Sequence, residues 1–112
     1  MTTISGLTPS KHGQPSESLL TLAEYLELAL DKGECVVLMR NGAHVCTVYI
    51  GDPAGTPDDL SGHGTIAATL AGEILDLTEA GANRITVGDQ VYRFVRSFSQ
   101  IAEGGAVVFA PV

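Results

Sequence analysis

The pattern of apolar and polar positions is helical in residues 18–33, SLLTLAEYLELALDKG, where the acidic side chains lie opposite an apolar stripe. The stripe consists of Leu22, Leu26, Ala29 and Leu30. Thr21 and Glu24 match a capping box, and Gly33 is a typical helix stop. The pattern predicts a helix that begins near Thr21, ends at Gly33 and packs one face on a core.

Two β-rich runs follow, on either side of Asn41-Gly42, the pair preferred in a two-residue type I′ hairpin. Pairing Arg40 with Ala43 sets the predicted register. Six side chains then share one face: Cys35, Val37, Met39, His44, Cys46 and Val48. Both faces are largely apolar, which predicts a central hairpin or a subunit contact. The diagonal placement of Cys35 and Cys46 is too wide for an unstrained disulfide, so we expect two free thiols.

Residues 51–64, GDPAGTPDDLSGHG, have the composition of a long loop, and loops of this length are often functional or mobile. An apolar stripe then predicts a second helix from about Thr65 to Ala80, ended by Gly81. The stripe consists of Ile66, Leu70, Ile74 and Leu77.

The last third of the chain predicts three strands, at residues 84–87, 90–98 and 106–110. Gly88-Asp89 suits a type II′ turn, and Gly104-Gly105 is expected to close the next connection. The order α-β-β-α-β-β-β, with hairpins between strands, indicates an α+β fold. We expect a mostly antiparallel sheet of about five strands with two helices packed on it.

The length of 112 residues allows a single domain, which we place at residues 18–112. Residues 1–17, MTTISGLTPSKHGQPSE, have few large apolar side chains and predict a flexible tail, or a segment that folds on a partner. With 45% apolar and 17% charged residues, the rest of the chain has the composition of a folded soluble protein.

The net charge of −7 makes nucleic acid an unlikely partner, although a local basic patch is compatible with it. No segment has the pattern of a signal peptide or a membrane span, so we expect a cytoplasmic protein without a membrane partner. Reduced cysteines fit that compartment. The pattern also lacks Cys-x-x-Cys spacing, so we expect no metal at the Cys35, Met39, His44 and Cys46 face, and no other cofactor.

The segment DDLSGHGTIAATLAG, residues 58–72, resembles the histidine stretch of the subtilisin-like serine proteases. The resemblance implies that His63 is a general base, but a nucleophilic serine in a matching Gly-Thr-Ser-Met context is missing, so we expect no catalytic residue. A ligand or anion site at the predicted helix start stays open as an alternative. It would comprise His63, Gly64, Thr65, Asp58 and Asp59.

Basic residues are unevenly distributed, because no lysine or arginine lies between Arg40 and Arg84. Arg84, Arg93 and Arg96 then form a candidate partner-contact patch, in which the predicted register sets Arg84 opposite Arg93. Two interpretations stay open. The pair is neutralised within the chain by an acid such as Glu79 or Asp76, or it contacts an acidic partner, nucleic acid or another subunit.

Residues 28–50, LALDKGECVVLMRNGAHVCTVYI, resemble the first part of Phd/YefM-type antitoxins, in which a helix leads into a Gly-Glu-x-Val strand and an Arg-x-Gly turn. The resemblance implies a dimer that binds operator DNA through basic residues near the amino terminus and binds a toxin through a flexible carboxyl segment.

The interpretation we favour is a non-enzymatic protein that acts through protein contacts with a partner still to be identified. Apolar strands such as AVVFA, residues 106–110, favour self-association as a homo-oligomer. The alternatives are a small-ligand or anion-binding protein, or an enzyme, with its site in the 51–64 loop around His63, and an antitoxin-like regulator.

Overall fold

A computed structural model describes residues 16–102 and 104–112. Two helices and six strands follow one another in the order α-β-β-β-α-β-β-β. The helices are α1, Glu17–Lys32, and α2, Ala68–Leu77. The strands are β1, Cys35–Arg40; β2, Val45–Gly51; β3, Leu60–Ala67; β4, Gly81–Val87; β5, Gln90–Ile101; and β6, Gly104–Pro111. The predicted tail at residues 1–17 lies outside the described residues except for its last two.

The six strands form one antiparallel sheet in the order β3-β2-β1-β6-β5-β4. Each half of the chain is a helix followed by a three-stranded meander, and the two meanders join where β1 pairs with β6. This architecture confirms the predicted α+β class with a mostly antiparallel sheet. The sheet has one strand more than expected, because β3 forms from the carboxyl end of the segment predicted as a loop.

Helix α1 begins earlier than the capping box predicted. Ser16 is the N-cap, and its side chain accepts a hydrogen bond from the Leu19 backbone N–H. Ser18 is fully buried, so tertiary packing holds the added turn in place. The predicted end is confirmed, because Gly33 adopts φ 67° and its N–H bonds to the carbonyls of the last turn.

The β1–β2 connection is longer than the predicted two-residue turn, and the register prediction is wrong. Arg40 pairs with Cys46, so five residues separate the paired ends instead of two. An odd number of intervening residues reverses which side chains of β2 share a face with β1. Cys35 and Cys46 therefore lie on opposite faces of the sheet. Both are free thiols, as expected. The reason is that the sheet separates them, and not that they lie diagonally on one face as predicted.

The predicted second helix is shorter at both ends. Thr65 and Ile66 lie in β3, where they pair with Thr47 and Cys46 of β2, and α2 begins only at Ala68. The free edge of β2 provides backbone hydrogen-bond partners for these residues, and a local sequence pattern carries no information about such distant partners. This explains why Thr65 and Ile66 are in a strand rather than in the predicted helix. At its other end α2 stops at Leu77, four residues before Gly81.

The β4–β5 turn matches its prediction, whereas the β5–β6 turn does not. Val87 pairs with Gln90 across Gly88-Asp89, and Gly88 has φ 62°, as a type II′ turn requires. In the next hairpin Ile101 pairs with Gly104, so Gly104 and Gly105 lie in β6 rather than in the turn.

Both helices pack on one side of the sheet, which we call the inner face. The main core lies there and includes side chains from both helices and all six strands. Phe94 and Phe109 are fully buried at its centre, with ring centroids 5.7 Å apart in an edge-to-face arrangement. The predicted AVVFA strand is β6 in the middle of the sheet, so its apolar side chains are largely buried within one chain.

Candidate functional site

The other side of the sheet, the outer face, is not covered by either helix. It is formed by alternate positions of each strand, and its centre is apolar: Val37 of β1, Ala106 and Val108 of β6, and Ile101 of β5 form a second cluster. These four side chains are buried beneath four partly exposed ones. The covering side chains are Cys35, Met39, Tyr49 and Leu60.

Arginines and acidic residues lie in different parts of the described chain. No Asp or Glu lies in any of the six strands, although the whole sequence contains 13. All of the arginines, in contrast, are strand residues. The alternation of β4 and β5 places two of them, Arg84 and Arg93, on the outer face, whereas Arg40 and Arg96 lie on the inner face. The outer face is therefore apolar at its centre and positively charged near one edge of the sheet, on β4 and β5.

Arg84 and Arg93 are direct cross-strand partners, as the Gly88-Asp89 register predicted. Both are exposed. Like charges in this position repel, which destabilises the hairpin unless an anion lies nearby. Glu79 is on the other side of the sheet, because its backbone N–H and carbonyl bond to the side chain of Asn83, which the register places on the inner face. Asp76 lies in α2, on the inner side of the sheet.

Arg96 is separate from this pair, because it lies on the inner face. Its Nη1 donates hydrogen bonds to the backbone carbonyls of Leu75 and Thr78, each 2.9 Å away, and to Thr78 Oγ1 at 2.8 Å. These acceptors belong to the carboxyl end of α2, so Arg96 caps that helix and fixes it to β5. The structure thus brings together two of the three arginines in the predicted patch.

The acidic β2–β3 connection lies at the outer face, at the edge away from the arginines. A Cβ placed on Gly51 would overlap the carbonyl oxygen of Asp59, so the chain folds closely over this position. Cys35, on the outer face of β1, has its pKa raised by burial, then by the negative charges of Asp52 and Glu34. Asp52 directly follows Gly51, the cross-strand partner of Cys35, and its Oδ1 accepts a hydrogen bond from the Ala54 N–H.

The residues of the predicted ligand site are dispersed along the β2–β3 connection and β3. Asp58 and Asp59 lie in a short 3-10 helix, Pro57–Asp59, whereas His63, Gly64 and Thr65 lie in β3. Four residues of extended strand separate Asp59 from His63 by about 13 Å, too far for the carboxylate to orient the imidazole. His63 is at a bulge in the β2–β3 pairing, between Gly62 and Thr65. It is not at a helix amino end, because α2 begins five residues later at Ala68.

Two further concave regions lie on the inner side of the sheet. A cleft of about 160 Å³ separates the end of α1 from β5, and beside it the Tyr92 hydroxyl donates a 2.6 Å hydrogen bond to Glu27 Oε2. An open groove of about 480 Å³ lies where β5 and β6 extend beyond the helices, next to Phe98, whose side chain is 67% exposed. Of the residues predicted for the ligand site and the partner-contact patch, only Arg93 lines one of these two regions, the cleft.

Within residues 16–102 and 104–112, no group of three or more His, Cys, Asp or Glu side chains is arranged to hold a metal ion. Over the same residues, no helix is long and apolar enough to cross a membrane.

Sequence reasoning identified the Arg84–Arg93 pair but missed the outer face to which it belongs. It placed His44, Cys46 and Val48 with Cys35 and Val37, because a two-residue turn was assumed. The exclusion of acidic residues from every β-rich run was visible in the sequence and is the signal that would have indicated a sheet with a cationic face.

Comparison of the chain with protein-family models, with curated proteins and with solved structures found no match.

Proposed function

We propose that this chain is a non-enzymatic, cytoplasmic protein that acts through protein contacts and self-associates through its outer face. The observation that carries this proposal is the uncovered apolar centre of that face, with Cys35, Met39 and Tyr49 partly exposed above Val37 and Val108. Partly exposed apolar side chains over a buried layer are typical of a surface that another protein covers.

The polar pattern of the sheet supports the same conclusion. An antiparallel sheet with one solvated face normally alternates apolar residues toward the core with polar residues toward water. Here Val91 and Val95 lie on the outer face of β5 with 42% and 40% of their surface exposed. Burying such positions against a partner contributes about 25 cal/mol for each Å² of apolar surface removed from water.

The alternative functions have less support. A ligand site or active site around His63 would need the nearby aspartates, and β3 holds them apart. In the antitoxin-like regulator, the carboxyl segment is flexible and binds the toxin, whereas here β4, β5 and β6 are strands of the sheet. Its DNA-binding segment corresponds to residues before Ser16, which lie outside the described part of the chain.

The proposal is tested by sedimentation equilibrium of the full chain over a wide range of concentrations. We expect a reversible dimer, and we expect Val95→Asp to weaken it at least about 10-fold, because the symmetric contact would remove two carboxylates from water in place of two apolar side chains. Val95→Thr, which keeps the shape and β propensity, is the matched control and should dimerise.

Phe98→Asp serves as a control for the inner face, because it introduces the same charge at a more exposed apolar residue on the same strand. A monomer at the highest concentration would contradict self-association. Dissociation by Phe98→Asp but not by Val95→Asp would assign the contact to the inner face instead.

A further inference from the structure

We infer that the partner is a second copy of this chain, packed outer face to outer face about a two-fold axis parallel to the strands. In this dimer Arg84 and Arg93 of each protomer lie against Asp52 and Asp59 of the other. The inference rests on the proposed function, and it adds the geometry and the residues that determine which surfaces meet.

The lateral positions of the charges support this axis. The strand order β3-β2-β1-β6-β5-β4 has β1 and β6 at its centre, with the arginines on β4 and β5 and the aspartates beside β2 and β3. A two-fold axis along the centre places β5 of one protomer over β2 of its partner, and β4 over β3. The basic edge of each protomer therefore meets the acidic edge of its partner, so the same contact occurs twice in the dimer.

The positions of the charged residues along the strands also support this axis. The pairings place Ile50, Val36, Phe109 and Arg96 in one row across the sheet. Arg93 and its partner Arg84 lie three residues from that row, and Asp52 lies two residues from it in the same direction. Rotation about an axis parallel to the strands keeps these levels unchanged. One residue of strand spans about 3.3 Å, so the arginines and aspartates come within reach of long side chains.

The other symmetric arrangement, with an in-plane axis perpendicular to the strands, lacks this complementarity. It places β5 over β5, and the arginines then lie over the opposite end of the partner's β4–β5 hairpin, where the outer face carries Ser97 and Ser99 and no carboxylate. The charge distribution therefore selects between the two arrangements.

The chain near the aspartates is compatible with the same arrangement. The carbonyl oxygen of Asp59 lies where a Cβ on Gly51 would be, so the connection approaches β2 closely at the end of that strand. The central side chains of β1 and β6, such as Val37 and Val108, face each other across a sheet separation of about 10 Å.

The test uses two charge-reversed full-length chains. Arg84→Glu/Arg93→Glu places glutamates against the partner's aspartates, and Asp52→Lys/Asp59→Lys places lysines against the partner's arginines. Each variant alone should dimerise at least about 100-fold more weakly than the original chain at low salt. Mixed in equal amounts, they should form a one-to-one heterodimer, since both contacts then pair opposite charges.

A quadruple variant that carries both reversals should dimerise like the original chain, because opposite charges again face each other. Its dimerisation would show that the β2–β3 connection tolerates the two lysines. Circular dichroism checks the fold of each variant, and sedimentation equilibrium with one chain fluorescently labelled measures the association. Two folded variants that stay monomeric when mixed would overturn the inference. A dimer insensitive to either reversal, yet broken by Val95→Asp, would overturn this geometry and leave the proposed function standing, whereas a monomeric original chain would overturn both.

Discussion

At the scale of single residues, the contact between Tyr92 and Glu27 joins α1 to β5. The hydroxyl is the donor and the carboxylate is the acceptor, at 2.6 Å. This hydrogen bond, followed by burial and the charge of Glu27, raises the pKa of Tyr92 above its ordinary value of 10.0. All three effects favour the neutral phenol in the folded state.

The raised pKa has a definite consequence for stability. The unfolded chain loses the Tyr92 proton first as pH rises, so the stabilisation is complete below about pH 10 and is lost as pH rises through the folded-state value. Tyr92→Phe should lower the free energy of unfolding by about 1 kcal/mol at neutral pH. It should also flatten the decline in stability above about pH 10.

Urea unfolding at a fixed protein concentration, followed by circular dichroism from neutral to alkaline pH, measures both effects. Glu24→Gln, which removes one negative charge from the exposed side of the same helix, is the control for a general charge effect. An equally steep alkaline decline in Tyr92→Phe would mean that other groups are responsible.

At the scale of secondary-structure elements, α2 depends on a side chain from the sheet. The last turn of α2 contains no basic residue, and its C-cap is Thr78 in an extended conformation. Arg96 supplies the missing donor through three hydrogen bonds, and its guanidinium also lies 5.9 Å from the centroid of the Phe98 ring. The helix end is thus stabilised by a residue that follows it by 18 positions in sequence.

Arg96→Met keeps much of the apolar stem but removes every donor. We expect a loss of about 2 kcal/mol in the free energy of unfolding, because the carbonyls of the last turn lose a charged partner. Chemical denaturation measures the change. Arg40→Met is the matched control and should cost much less, since Arg40 is exposed and donates its hydrogen bonds to Gly42 and Ala43 in the adjacent turn; similar losses in the two variants would contradict the capping role.

At the scale of the whole molecule, the sheet contains every arginine and no acidic residue. Acidic residues lie in the helices and connections. Arginine is therefore the only charged residue type that the sheet presents to solvent or to a partner. The net charge of −7 keeps copies apart at long range, while the opposite local charges of the outer face favour one mutual orientation at contact.

Cys35 reports directly on the assembly, because it is partly exposed on the outer face near the proposed two-fold axis. Its pKa is raised above the ordinary 9.0, so labelling by a maleimide should be slow at neutral pH and should accelerate as pH rises. In the dimer the thiol is covered, and the labelling rate should fall as protein concentration increases.

The Val95→Asp variant should label at a rate independent of concentration, which separates assembly from local burial. Cys35→Ser accounts for any labelling of Cys46, which is buried in the main core. A rate in the original chain that does not change with concentration would contradict the placement of Cys35 at the interface.

Much of the fold could be predicted because its signals are local. The stripe of α1 and its Gly33 end, the Gly88-Asp89 turn, and the pairing of Arg84 with Arg93 depend on residues within one helix or one hairpin. The candidate site could be predicted only in part, because it depends on which side chains share a face. One wrong turn length moved Cys46 and Val48 to the wrong side, and Arg96 was grouped with arginines that lie on the other face.

The sequence by itself determined the α+β class, the antiparallel hairpins, the ends of several elements and the confinement of acidic residues to helices and connections. These follow from periodicity, turn chemistry and composition, which act over a few residues. Only the tertiary structure decided that β3 adds to β2 instead of extending a helix, that β6 joins the two meanders, and that both helices cover the same face. Each of these depends on hydrogen bonds and burial between distant segments, and together they leave the outer face open.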